Sequence, residues 1–195
     1  MLTPAQLTTL KAAIRVVALV LFSCLSASAQ SLTPAQMTAL KANVVGTGDT
    51  NAKYQAGDLQ GLADLYNANA SPTFTAWKTN VQLVSVGDNI VSTELASLST
   101  LNATRLQTIA LYSPNGVNPS MTDRRAFFDD IFSGAGGVNT RAKLLILWKR
   151  LSTRFEKVFA TGTGSDASPA SIVIEGPVSY TVFQCAPPST TFCTP

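Results

Sequence analysis

Asn139-Thr-Arg-Ala-Lys-Leu-Leu-Ile-Leu-Trp-Lys-Arg-Leu-Ser-Thr-Arg-Phe-Glu-Lys-Val-Phe-Ala-Thr-Gly162 is the stretch on which the fold turns. Leu144, Trp148, Leu151, Phe155 and Val158 recur at helical spacing and share one face at about 100° per residue. Asn139 suits an N-terminal cap and Gly162 a C-terminal stop. The spacing predicts one helix from about Thr140 to Thr161, roughly 33 Å long. A second stripe, Lys143, Arg150, Arg154 and Lys157, falls within about 60° of arc. Such a stripe suits acidic protein partners or DNA phosphate, and it equally suits an ordinary solvated face.

Toward the C-terminus, Thr161-Gly-Thr-Gly-Ser-Asp-Ala-Ser-Pro169 reads as a Gly-rich connector. It follows a helix instead of opening one and lacks the Gly-Lys-Ser/Thr ending of a phosphate loop. Ile172-Val-Ile-Glu-Gly-Pro-Val-Ser-Tyr-Thr-Val182 is β-prone on both sides of Gly176-Pro177. A hairpin is one expectation. The other is an assembly arm that adds to a neighbour's sheet edge, with Ile172, Ile174, Val178 and Tyr180 filling pockets. Residues 184–195, rich in Pro, Thr and Ser, read as disordered.

Toward the N-terminus, Phe127, Phe128, Ile131 and Phe132 mark a helix that opens near Asn118-Pro119 and stops at Ser133-Gly-Ala-Gly-Gly137. The pattern from Asp88 to Tyr112 is helical, with Val91, Leu95, Leu98 and Ile109 as its apolar stripe. Leu59, Leu62, Leu65 and Tyr66 form a short amphipathic helix that Ser71-Pro72 terminates. Phe74 and Trp77 are core anchors in an irregular stretch. Leu32-Thr-Pro-Ala-Gln-Met-Thr-Ala-Leu-Lys-Ala42 starts the domain, with Thr33 as cap and Pro34 in the first helical position.

That start repeats Leu2-Thr-Pro-Ala-Gln-Leu-Thr-Thr-Leu-Lys-Ala12. Between the copies, Lys11 and Arg15 precede the apolar run Val16–Leu25, and Ala27-Ser28-Ala29 follows it. These are the three parts of a secretory signal. The run is short for a stable membrane span. If the signal is cut, Cys185 and Cys193 are left to pair in an oxidising compartment. If it is not, Cys24 joins them as a third free thiol.

The fold class that emerges is mainly α: a small helical bundle with a long C-terminal helix, followed by a short β-prone hairpin or arm. Residues 1–31 are a duplicated, signal-like extension and 32–161 the helical domain. Residues 162–183 are the connector and arm, and 184–195 the tail. The 195-residue chain is 46% hydrophobic and only 13% charged, with net charge +3. Low charge suggests a surface largely covered in an assembly. The chain has no histidine. His-based acid–base catalysis, His triads and His metal sites are therefore excluded. Asp129 and Asp130 point about 100° apart on a helix and do not face each other. No catalytic residue, cofactor or metal is expected.

Arg150-Leu-Ser-Thr-Arg-Phe-Glu-Lys-Val-Phe-Ala-Thr-Gly-Thr-Gly-Ser-Asp-Ala-Ser-Pro-Ala170, running on to Glu175-Gly-Pro-Val-Ser-Tyr180, resembles a family of small tailed-bacteriophage and prophage proteins. The resemblance includes the Leu-Thr-Pro-Ala-Gln-type start and the stretch Asn69-Ala-Ser-Pro-Thr-Phe-Thr-Ala-Trp-Lys-Thr-Asn-Val81, and it covers roughly residues 32–182. It implies a virion structural protein, a head–tail connector (neck) or tail-associated part. The implied partners are portal, connector or tail subunits, around a homo-oligomeric ring assembled in the host cytoplasm. Residues 1–31 and the chain beyond Tyr180 depart from that pattern. The signal-like segment supports a different expectation, an exported periplasmic or secreted binding protein.

Overall fold

The computed structural model describes residues 32–113 and 115–184. The signal-like segment, all three cysteines and nearly all of the tail lie outside the described residues. The described residues are mainly helical, with a few short strands.

Helix α1, Pro34–Gly46, begins as the sequence implies. Thr33 accepts from the Gln36 N–H, and the Gln36 side chain accepts from the Thr33 N–H at 2.8 Å, a complete capping box. Leu40 and Val44 are fully buried. Helix α2, Gly48–Gln55, follows directly, pinned by the Thr50 hydroxyl donating to the Val44 carbonyl at 2.9 Å. Helix α3, Leu59–Asn67, is capped by Asp58 and buries Leu62, Ala63 and Tyr66. Strand β1 is Thr75–Trp77. Helices α4, Leu83–Asp88, and α5, Ser92–Ala96, are short, and α6 spans Thr100–Tyr112. The single helix expected across 88–112 is thus divided around Ser97–Ser99, where the Ser99 side chain caps α6. Helix α7 is Thr122–Ile131. Asn118 stands before it in a turn, accepting from the Ser120 N–H at 3.0 Å.

The long helix expected over 140–161 is replaced by four pieces: α8 (Val138–Leu147), β2 (Lys149–Leu151), α9 (Arg154–Val158) and β3 (Ala160–Thr161). The physical reason is that its apolar positions serve two cores. Leu144 and Trp148 pack with Val81, Val86, Ile109, Val117, Phe128, Ile131 and Phe132. Phe155 packs with Leu32, Leu40, Val44, Leu62, Ala63 and Tyr66, the first core in chain order, the Leu144 and Trp148 cluster being the second. One straight helix cannot turn its face to both. Between them β2 pairs antiparallel with β1, Thr75 opposite Leu151 and Trp77 opposite Lys149. The Ser152 N–H donates to the Phe74 carbonyl at 2.9 Å, and the Arg154 N–H to the Ala68 carbonyl at 2.9 Å. Thr153 then restarts the helix with a second capping box, closed by Glu156.

The C-terminal segment also departs from the free-arm expectation. Strand β4, Ser171–Ile172, pairs antiparallel with β3, so the β-prone stretch does not fold back on itself as a hairpin. The connector is tied to β1, with the Thr75 N–H donating to the Gly164 carbonyl at 2.7 Å and the Trp77 N–H to the Ala170 carbonyl at 2.9 Å. Gly164 sits at φ +66 against the Phe74 ring, where a Cβ would collide. Val178 is buried with Val182 and Phe183, which lie in a 3-10 turn over Tyr180–Phe183. Asn67 and Val178 exchange two hydrogen bonds of 2.9 and 2.8 Å, and the Tyr66 and Phe183 rings stack at 5.6 Å. Of the expected arm contacts, Ile172 and Val178 are buried in this chain, Ile174 packs against its first core, and Tyr180 remains exposed. The first core lacked a cover that α1–α3 and α9 alone do not supply, and this segment supplies it.

Candidate functional site

The break at Trp148–Thr153 scatters the four basic residues of the expected stripe. Lys143 is exposed on α8. Arg150 is turned inward, donating to both Glu156 oxygens at 2.7 and 2.9 Å and to Glu175 at 2.7 Å. Glu156 is 2% exposed. Burial alone would push its carboxyl up. Hydrogen bonds from Arg150 and from the Thr153 and Gly176 N–H groups outweigh burial and hold it below the usual carboxylate range. Arg154 grips Asp49 through two bonds of 2.6 and 2.8 Å, and this holds Asp49 down at about 2. Lys157 lies over the Phe74 ring at 5.3 Å. Arg154 and Lys157 do share one groove of about 540 Å³, with Ala39, Asn43, Thr47 and Ser71 in its wall. The guanidinium fork of Arg154 is already matched by Asp49, which leaves Lys157 as the charge of this groove open to phosphate.

A different surface is more distinctive. Arg125 and Asp129 of α7 line a groove of about 390 Å³ with Val138, Arg141, Ala142 and Leu145 of α8, and with Trp77 and Trp148. On the other side of α7, Arg124 and Phe127 line a groove of about 230 Å³ with Thr104, Arg105, Thr108 and Tyr112 of α6. The arginines in the first groove are fixed as walls. Arg125 stacks over Trp77 at 4.2 Å and donates to the Ser120 carbonyl at 3.0 Å. Arg141 donates to the Phe132 carbonyl and to the Gly134 carbonyl.

Around these grooves the helices present large apolar side chains to solvent. On α6, Leu101, Leu111 and Tyr112 are 69%, 77% and 83% exposed, and with Thr104 and Thr108 they share one face. On α8, Ile146 is 74% exposed, and Val138 and Leu145 are about half covered. The start of α8 is held by Glu94 of α5. Its carboxylate accepts from the Asn139 N–H at 3.0 Å, the Asn139 amide at 2.9 Å and the Thr140 N–H at 2.7 Å. Hydrogen bonding from Thr140 leads the causes that lower its carboxyl to about 2. The sequence alone points to Asn139 as the cap of this helix. The capping carboxylate instead comes from a residue 45 positions away, which no local spacing reveals.

Among the described residues no cluster of His, Cys, Asp or Glu is arranged to hold a metal ion. Among them, too, no helix is long and apolar enough to cross a membrane. Comparison with protein-family models, with curated proteins and with solved structures finds no match to this chain.

Proposed function

We propose that this chain is a non-catalytic structural subunit of a tailed-bacteriophage particle, a head–tail connector or tail-associated assembly protein. It works in a homo-oligomeric ring, against portal, connector or tail subunits, and its place is the virion assembled in the host cytoplasm. The observation that carries this reading is the exposed apolar side chains on α6 and on α8, with grooves on both sides of α7. Exposed apolar surface of this kind marks interaction sites. Covering it in a neighbouring copy would be favourable by roughly 25 cal/mol per Å². The resemblance of residues 32–182 to small phage proteins supports the same reading. Arg150 and Arg154 are engaged within the chain, which favours protein surfaces over DNA phosphate as partners.

Two measurements test it. Purified particles should contain the chain in multiple copies, and light scattering should give the free protein a multimeric mass. Replacing Leu111 and Tyr112 together by Glu should reduce that mass to the monomer. The melting temperature should barely move, because surface changes away from special contacts cost within about 0.5 kcal/mol. A monomeric wild-type protein that is absent from particles would overturn the proposal. The apolar run Val16–Leu25 with its basic flank supports a second reading, export as a periplasmic or secreted binding protein. N-terminal sequencing after bacterial expression separates the two, since a mature chain starting at Gln30 would favour export.

A further inference from the structure

A cation partly withdrawn from water is costly unless a carboxylate meets it, and the groove between α7 and α8 holds two that none meets. Arg105, Arg150 and Arg154 each make an ion pair. Arg125 and Arg141 make none among the described residues, although both are partly buried. Burial lowers the pKa of Arg125, and the attraction of Asp129 does not offset it. Asp129 itself is exposed.

The two guanidinium groups are spent differently. Arg125 lies over the Trp77 ring and uses both Nη atoms, on the Pro119 and Ser120 carbonyls and the Thr122 hydroxyl. It is a fixed charge. Arg141 uses only Nη1, on the Phe132 and Gly134 carbonyls. Its Nη2 and Nε have no partner among the described residues. That edge of a guanidinium can take both oxygens of a carboxylate. The rest of the wall is apolar. Val138, Ala142 and Leu145 are spaced i, i+4 and i+7 on α8 and so share a face. Trp148 lines the same groove, 3% exposed, and its indole Nε1 is a donor without a partner.

We propose that this groove binds a carboxylate carried on an apolar body. Arg141 takes the carboxylate through its Nη2 and Nε edge, Arg125 adds positive charge, and the body lies against Trp77, Ala142 and Leu145. Two arginines and one aspartate leave the groove a single net positive charge, which suits a monoanion better than a phosphate dianion. Its volume of about 390 Å³ falls in the range of small-ligand sites, roughly 300–1,000 Å³. The same chemistry has two sources, a free organic acid or an acidic side chain of a neighbouring subunit. The second source rests on the proposed subunit contact, and the first does not.

Both tryptophans of the chain, Trp77 and Trp148, line the groove, so the intrinsic fluorescence of the full chain reports on it. The probe is 4-methylpentanoate, with 4-methylpentanamide as an uncharged control of the same shape. The carboxylate should change the emission saturably, and the amide should not. Arg141→Gln should weaken binding about tenfold or more, as loss of a charge-assisted pair does. R141Q also gives up two carbonyl contacts, so Leu145→Glu is the second variant. Leu145 is 43% exposed, and a Glu there sets a carboxylate of the chain's own in the groove. L145E should melt like the wild type and fail to bind the probe. No saturable response, an equal response to the amide, or a folded L145E that binds as tightly as the wild type overturns the proposal. Light scattering at saturating probe identifies the source. A fall in mass assigns the carboxylate to a neighbouring subunit, and an unchanged mass assigns it to a free acid. A monomeric wild-type chain would remove the subunit contact and leave the titration as it is.

Discussion

Trp148 is the residue at which the chain changes from α8 to β2, and replacing it by Ala tests the division into two cores. Trp148 is 3% exposed and meets the Phe128 ring edge-on at 5.4 Å and 70°. Leu144 and Ile131 belong to the same cluster. Truncating a buried Trp to Ala removes its transfer free energy and leaves a cavity, which costs about 3–5 kcal/mol. Against a typical stability of about 5–15 kcal/mol this is a large fraction. One feature moderates the loss. The buried indole Nε1 has no hydrogen-bond partner, and an unsatisfied buried donor itself costs about 1–3 kcal/mol. Trp148→Phe keeps a ring against Phe128 and deletes that donor, so it should cost much less, roughly 1–2 kcal/mol. Urea denaturation followed by circular dichroism measures both, as shifts of the midpoint at constant slope. A W148A cost under about 1 kcal/mol, or a W148F cost equal to it, would refute the reasoning. The first would show that Trp148 does not hold the second core, and the second that the N–H is not a burden.

Glu156→Ala should destabilise by about 3–5 kcal/mol, because the partly buried Arg150 keeps only the Glu175 carboxylate and the Thr153 and Gly176 N–H groups lose their acceptor; chemical denaturation reads the loss directly. Acidification should destabilise the fold through Asp49 and Glu94, both held at about 2 against ordinary values of 3.8 and 4.5. Their folded values lie below their unfolded ones, so their contribution is complete above about pH 4.5 and is lost as the pH falls toward about 2. Melting temperatures recorded across that window should drop more steeply in the wild type than in Glu94→Gln.

Local chemistry made some elements legible and non-local packing hid the others. Helix α1 could be read from Thr33, Pro34 and Gln36 because a capping box is complete within four residues. Leu62 and Tyr66 were legible from helical spacing, as were Phe128, Ile131 and Phe132. The same spacing failed over 139–161. Leu144, Trp148, Phe155 and Val158 do repeat with helical period, but the first two face one core and the last two the other. A local signal for the break was present in Thr153-Arg-Phe-Glu156, a capping box inside the expected helix. The basic stripe fell with that helix. Its residues were aligned by a periodicity that the backbone does not keep, and the partners Asp49 and Glu175 that engage Arg154 and Arg150 are remote in sequence. The α6 and α8 surface was illegible for another reason. Apolar residues at helical spacing ordinarily face inward, and nothing in Leu101, Leu111 or Tyr112 distinguishes them from core residues.

The two hydrogen bonds between Asn67 and Val178 span 111 residues. A ribosome adding about 5–20 residues per second needs roughly 6–22 s to cover that interval. Throughout it α1, α2 and α3 are already made, but Val178, Val182 and Phe183, which close over Tyr66, do not yet exist. The second core, from Val81 to Trp148, lies wholly inside the interval and is complete before the first. The first half of the chain to be synthesised is therefore the last to be sealed, and its nascent apolar helices are the surface that a chaperone would meet.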